Sequence, residues 1–186
     1  MDLRIVKTKN QIKKAFLSLR NKYSLEKIKV KDICELAMIN KTTFYKHYVD
    51  SYALANELEE NCMEKLMSAF SEKKKLFESP KAYVHGLLSA TEKYAEELRE
   101  VYRGRKDSFV SKLEQRLMQA CESGENTERR MAATFMISGT SQVLAQWLFG
   151  EEGKRPDLVA IAAYIERMSK NLLPATKYRN KVLWKR

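Results

Sequence analysis

A dense group of hydrogen-bond donors lies between residues 41 and 47, where the chain reads KTTFYKH. The donors are Lys41, Thr42, Thr43, Tyr45, Lys46 and His47. Such side chains can donate to phosphate oxygens and to the acceptors on base edges. A solvated surface helix is the alternative explanation for a short basic stretch, and the residues around it decide between the two.

We predict that these donors lie on the second of two short helices. The first covers about residues 30–37 and has an apolar stripe at helical spacing. A tight turn follows, and Asn40 is a good N-cap for a helix over residues 41–47. Only Phe44 and Tyr48, four residues apart, offer inward anchors. A short basic helix held by a preceding helix and turn has the geometry that enters a DNA major groove.

The stretch ICELAMINKTTFYKHY closely resembles the DNA-binding signature of TetR-family transcriptional regulators, I-A-x-x-A-G-V-S-x-G-T-x-Y-x-H-F. The resemblance extends from Thr8 through Leu58. It implies base-edge contacts for Lys41 and Thr42, phosphate contacts for Thr43, Tyr45 and His47, and either contact for Lys31. Lys46 is a further DNA-binding candidate. One departure is Met38, which stands where the family usually has glycine. Because a positive φ is costly for a residue with a Cβ, we expect a strained or differently wound turn there.

Composition predicts an all-α fold, because glycine (6) and proline (3) are scarce and no alternating apolar run is long enough for a sheet. We divide the chain into a three-helix helix-turn-helix head at residues 1–50, a helical-bundle body at 51–173 and a basic tail at 174–186. The body is predicted to bind an effector and to dimerise. A continuous fourth helix, beginning after Asp50 and running to about Leu76, is expected to join head and body.

The net charge of +11 is concentrated in the head. Residues 1–50 hold 12 basic and 5 acidic side chains, whereas residues 51–169 hold 17 basic and 19 acidic ones. A basic head on a near-neutral body favours nucleic acid as the partner over a membrane surface. The uncharged segment at residues 131–150 is too polar for a membrane span, and we expect a buried central helix there. No apolar signal core precedes the head, so a cytoplasmic protein is expected.

An enzyme is not expected. The two histidines, His47 and His85, are too few for a histidine-based triad or metal cluster, and the three cysteines lack metal-ligand spacing. No phosphate-cradling glycine loop is present in the pattern. We therefore predict no catalytic residues, no metal and no cofactor.

The body supplies candidates for two further sites. A TetR-like regulator would place its effector pocket among the middle helices, and the candidates are Met67, Tyr94, Thr91, Phe109, Phe135, Ser138 and Gln142. The last helix is apolar on too many sides to be wet on one face, which predicts a four-helix interface across a two-fold axis. The candidates are Val143, Trp147, Leu158, Ile161, Ala162, Ile165 and Met168.

The sequence thus predicts a homodimeric repressor that binds a palindromic double-stranded operator and is released by an unknown small-molecule effector. One alternative is a TetR-like regulator that activates, or that answers to a protein partner without a small-molecule ligand. A more remote alternative is a helical enzyme or interaction module with an incidental basic head.

Overall fold

The computed structural model describes residues 3–121, 127–151 and 153–172, with side chains through Ser169. Within these ranges the chain forms nine α-helices and no strand, which confirms the all-α prediction. The helices are α1 (Leu3–Arg20), α2 (Val30–Ala37), α3 (Lys41–Tyr45), α4 (Ser51–Ala69), α5 (Pro80–Lys93), α6 (Ala95–Val101), α7 (Lys106–Ala120), α8 (Thr127–Phe149) and α9 (Leu158–Leu172). Two 3₁₀ helices cover Leu25–Lys27 and Ser71–Lys74. The predicted basic tail at 174–186 lies outside the described residues.

The chain folds as two compact units. The first comprises Met1–Glu64 and Glu96–Arg105, and the second Lys65–Ala95 and Lys106–Arg186. The first unit therefore contains α1 to α3, most of α4, and a segment that returns to it much later in the sequence. The division into head, body and tail remains a prediction about function.

The core of the first unit forms where short amphipathic helices meet. Helix α2 packs against both α1 and α3. Phe16 of α1, Ile33 of α2, Phe44 of α3 and Leu54 of α4 are each at most 1% exposed. Burying each such side chain contributes about 1.5–3 kcal/mol, so the two-turn helices are stabilised mainly by this packing and not by their own propensity.

The second unit is built on two helix pairs. Helix α7 packs along α8, and α5 packs along α9. Phe109 of α7 is fully buried and meets Phe149 of α8 edge to face, with ring centroids 5.4 Å apart. In α8 the buried positions Ala133, Ile137, Leu144 and Leu148 recur at helical spacing on one face. The expected central helix is thus buried on one side within the single chain, while Met131 and Phe135 on α8 are 67% and 59% exposed.

Two helix boundaries differ from the sequence prediction. Helix α4 ends at Ala69 and not near Leu76, and a 3₁₀ helix follows it. Ser79 and Pro80 are typical of a helix start, cap and first position, and predict a helix to about Arg103. That helix is interrupted at Tyr94, which divides it into α5 and α6. Neither break coincides with a glycine or proline, so no local signal marks it. None of the described helices is long and apolar enough to cross a membrane.

Candidate nucleic-acid interface

A hydrogen bond from a backbone N–H to a side chain fixes the start of α2. The N–H of Lys29 donates to the Asp32 carboxylate at 3.3 Å, so an acidic side chain satisfies one donor at the positive end of the helix. Ile33, Cys34 and Ala37 then point into the core. Burial raises the pKa of the Cys34 thiol, which keeps it protonated and inert.

The turn between α2 and α3 is a Schellman motif with methionine in the glycine position. Met38 has φ 53° and ψ 45°, in the left-handed region. The N–H of Ile39 donates to the Cys34 carbonyl at 3.0 Å and the N–H of Met38 to the Glu35 carbonyl at 3.2 Å, which is the pairing this motif requires. The turn is therefore wound in the usual way and strained, with Met38 itself 91% exposed.

Three residues, Asn40, Phe44 and Tyr48, cap and anchor helix α3. Asn40 Oδ1 accepts the N–H of Thr43 at 2.7 Å, which confirms the predicted N-cap. Phe44 is fully buried and Tyr48 is 4% exposed, with their ring centroids 5.7 Å apart. Both predicted anchors are confirmed, and because they hold one side of the short helix, the other side faces outward.

That outward side carries the predicted DNA-contacting residues. Lys41, Thr42, Tyr45 and Lys46 are exposed, and Thr43 and His47 are half-buried. Lys31 on α2 is exposed too, and its ammonium lies 3.6 Å from Glu35 one turn later. The structure thus brings six of the seven residues together on α3 and the two positions after it. Their DNA contacts remain a prediction.

A carboxylate that sequence reasoning missed secures this helix from behind. Glu57 on α4 accepts hydrogen bonds from Lys9 at 2.9 Å, Lys13 at 2.8 Å and the Tyr48 hydroxyl at 3.1 Å. It therefore links α1, the end of the α3 region and α4. The sequence signal was Lys9 and Lys13, four residues apart on one face of α1, although nothing local identifies an acid 48 residues away as their partner.

The contacts around Glu57 shift the pKa values of the Glu57 carboxyl and the Tyr48 hydroxyl. Desolvation opposes ionisation of Glu57, but hydrogen bonds from Lys13 and Lys9 outweigh it and lower the pKa of the carboxyl to about 2. Burial, reinforced by the Glu57 charge, raises the pKa of the Tyr48 hydroxyl well above its usual range. Glu57 is thus an anion and Tyr48 a neutral donor across physiological pH. Lys9 is occupied here and is not a free phosphate ligand.

The residues predicted for an effector pocket lie on α4, α5, α7 and α8 and, for Tyr94, between α5 and α6, and they differ in burial. Thr91 and Phe109 are fully buried, and the Thr91 hydroxyl donates to the Leu87 carbonyl within α5. Met67, Tyr94 and Ser138 are half-buried. Phe135 and Gln142 lie at the surface of the chain. The effector pocket remains a prediction.

The residues predicted for a dimer interface are also divided. Ile161, Ala162 and Ile165 are at most 6% exposed and belong to the chain's own core. The half-buried ones are Val143, Trp147, Leu158 and Met168. Val159 and Tyr164 on α9 are not among the predicted interface residues, yet they are 74% and 52% exposed. An interface through α9 would therefore use the side of the helix opposite to the predicted one.

Comparisons with known proteins test the fold. No protein-family profile matches the sequence. No curated protein matches it either. Among solved structures, a TetR transcriptional regulator from Streptococcus agalactiae 2603V superimposes with a TM-score of 0.64 at 22% identity, covering 89% of this chain and 95% of that one. The dihydroxyacetone kinase operon activator DhaS superimposes with a TM-score of 0.55 at 16% identity, covering 90% and 97%.

The chain has the TetR fold. The resemblance read from the α2–α3 stretch is therefore confirmed as a likeness in architecture over nearly the whole chain. Within this TetR fold, α3 is the helix whose exposed side is rich in donors. At such low identity the likeness concerns the fold alone, so residue roles must be argued from the site itself.

Proposed function

We propose that this protein is a transcriptional regulator that binds double-stranded DNA by placing the exposed side of α3 in the major groove. The observation that carries the proposal is the division of α3 into two sides. Phe44 and Tyr48 fix the inner side, whereas the outer side presents lysine, threonine and tyrosine donors. A helix-turn-helix unit uses a helix of this kind to read base edges.

Within the interface, we assign reading and positioning to different residues. Lys41 is exposed at the start of α3, where an ammonium group can reach guanine O6 and N7. Tyr45 and His47 are assigned to phosphates, which orient the protein without carrying sequence information. Lys41 should therefore determine preference at one base pair in each half-site.

A titration of variants separates the two roles. Duplexes enriched from a random pool by the wild-type protein serve as the operator, and a scrambled duplex as the non-specific partner. Lys41→Ala should cost about 1–3 kcal/mol on the operator and relax preference at one base pair. Tyr45→Phe should weaken both duplexes about equally. Lys81→Ala removes the same charge from an exposed position on α5 and should change the affinity for neither duplex.

Two outcomes would contradict this assignment. If Lys41→Ala weakens operator and scrambled duplex equally, Lys41 contacts phosphate, and base reading belongs to Thr42 or Lys31. If the wild-type protein enriches no sequence, and its affinity shows no decrease with salt, DNA binding itself is refuted, because phosphate contacts impose that salt dependence.

We further propose that the regulator is a homodimer built on α8 and α9. The support is a set of exposed apolar side chains on these two adjacent helices, namely Met131, Phe135, Val159 and Tyr164. Apolar groups so exposed gain free energy when a partner covers them. Two-fold symmetry would place two α3 helices on half-sites of a palindrome, about one helical turn apart.

Sedimentation tests the dimer. Phe135→Glu should yield monomers at micromolar concentration, because a carboxylate facing an apolar partner is costly to desolvate. Leu36→Glu is the control, since Leu36 is an exposed apolar residue on α2 and not on α8 or α9. Ile165→Glu is unsuitable here, because Ile165 lies in the chain's own core. A wild-type monomer, or a dimer unaffected by Phe135→Glu, would refute this interface.

For the direction of regulation we propose repression relieved by a small-molecule effector, which would shift the protein away from its DNA-binding conformation. Activation is the second candidate, favoured by one observation: the similar structure DhaS carries the description of an operon activator. In vitro transcription from the enriched site, with and without the protein, distinguishes them. A fall in transcript supports repression, and a rise supports activation.

A further inference from the structure

A small pocket in the first unit has no part in the proposed DNA interface. Its volume is about 260 Å³. One wall is the chain after α1, and the other is the chain after α6. The lining residues are Arg20, Asn21, Lys22, Tyr23, Ser24, Leu25, Glu26, Arg103, Gly104 and Arg105. None of the predicted DNA-contacting residues is among them.

Positive charge exceeds negative charge in this pocket. Four cationic side chains line it, and Glu26 is the one acid in its wall. A second acid, the fully buried Glu59, accepts a hydrogen bond from Arg105 Nε at 2.5 Å. The four cations of the pocket, together with the two acids Glu26 and Glu59, therefore have a net charge of +2. Lys22 and Arg103 have no ion-pair partner among the described residues.

Arg20 is the unusual member of the group, because it is only 3% exposed. Its guanidinium donates to the carbonyls of Tyr23 and Arg103, which orients it and ties the two walls together. Burial, and then the nearby charge of Arg105, lower the pKa of Arg20 below its usual range. Two neutral carbonyl acceptors stabilise the buried Arg20 cation less well than an anionic acceptor would.

We propose that this pocket binds a small dianion of the phosphate type, either inorganic phosphate or the phosphoryl group of a small metabolite. Arginine forks match phosphate geometry with two parallel hydrogen bonds. Arg105 meets Glu59 through Nε, and its side chain also lines the pocket. The volume lies below the range of about 300–1,000 Å³ occupied by drug-sized ligands, which favours an ion or a single phosphoryl group.

A dianion here would bridge residues 20–26 and 103–105, which are far apart in sequence and meet in the first unit. Bound phosphate should therefore stabilise that unit specifically, because a ligand of the folded state opposes its opening. The expected sign is higher protection of both segments from hydrogen exchange.

Calorimetry on the full-length protein without DNA is the direct test. Inorganic phosphate and glycerol phosphate are titrated separately, each against potassium chloride of equal ionic strength. Saturable binding that chloride does not reproduce supports the site. The tighter of the two ligands then identifies the source of the phosphoryl group. Exchange measured in the same buffers should show added protection at residues 20–26 and 103–105.

Variants at the rim separate a built site from general attraction of anions. Arg103→Gln should weaken phosphate binding about tenfold, which corresponds to one charge-assisted hydrogen bond, and Lys22→Gln should act in the same direction. Both residues are exposed, so the fold should survive. Lys27→Gln is the control, since Lys27 is an exposed neighbour that does not line the pocket.

Three results would overturn the proposal. The first is phosphate binding no different from that of chloride. The second is an equal loss in Lys27→Gln and Arg103→Gln, which would mean diffuse electrostatics. The third is an Arg103→Gln variant that binds free phosphate normally but loses affinity for DNA, which would assign the pocket to the nucleic-acid backbone.

Discussion

The contacts of Glu57 with Lys9, Lys13 and Tyr48 allow a quantitative prediction of stability. Lowering the pKa of Glu57 from an ordinary 4.5 to about 2 corresponds to about 3 kcal/mol of stabilisation. Because the side chain is 32% exposed, solvent screening reduces this to about 1–2 kcal/mol. Glu57→Gln keeps the shape but removes the charge, so we expect that loss in the first unit at pH 7.

The pH dependence follows from the direction of the shift. A carboxyl whose pKa is lowered on folding contributes its full stabilisation above the unfolded pKa, near 4.5, and loses it as pH falls toward about 2. The wild type should therefore approach the Glu57→Gln variant in stability between these limits. At pH 3 the difference should be clearly smaller than at pH 7.

The assay must report on the first unit. Both tryptophans, Trp147 and Trp184, fall outside that unit's residues, so their fluorescence is unsuitable. Hydrogen exchange of peptides from α1 and α4, measured across a urea series, gives the local free energy of opening. Urea is preferred to guanidinium because it leaves ion pairs unscreened.

Glu35→Gln is the matched control for this experiment. Glu35 and Lys31 form a pair at 3.6 Å with both side chains 66% exposed, and such surface pairs contribute little. No loss at pH 7 in Glu57→Gln, or a loss as large at pH 3 as at pH 7, would refute the role given to the Glu57 charge. A loss in Glu35→Gln equal to that in Glu57→Gln would point to net charge instead.

Three further predictions concern stability. Met38→Gly should stabilise the protein by about 0.5–1 kcal/mol, because glycine relieves the left-handed strain, whereas Leu36→Gly within α2 should destabilise it; thermal unfolding measures both. Arg105→Ala should cost about 3 kcal/mol, because it removes the hydrogen bond of 2.5 Å from Arg105 to the buried Glu59 carboxylate, and preserved stability in urea would refute that. Asn40→Ala should cost about 1 kcal/mol by removing the α3 cap, with faster exchange confined to α3 as the signature.

Features fixed by neighbours in sequence were predictable. The Asn40 cap and the Phe44 and Tyr48 anchors are set within one helical turn, and each was read correctly from spacing. Glu57 was missed because its partners on α1 lie more than 40 residues away. Phe135 was assigned to an interior pocket, since hydrophobicity alone does not say which apolar side of a helix its own chain will cover.

The return of residues 96–105 to the first unit has a consequence for synthesis of the protein. Tyr102 donates to the Glu59 carbonyl at 3.0 Å, and Arg20 to the Arg103 carbonyl, across 43 and 83 positions. When residue 64 leaves the ribosome, the surface that will receive Leu98 and Tyr102 is still bare. At about 5–20 residues per second, the closing segment arrives only a few seconds later. The nascent first unit would remain incomplete during that interval, so a ribosome pause within α5 should increase its capture by chaperones.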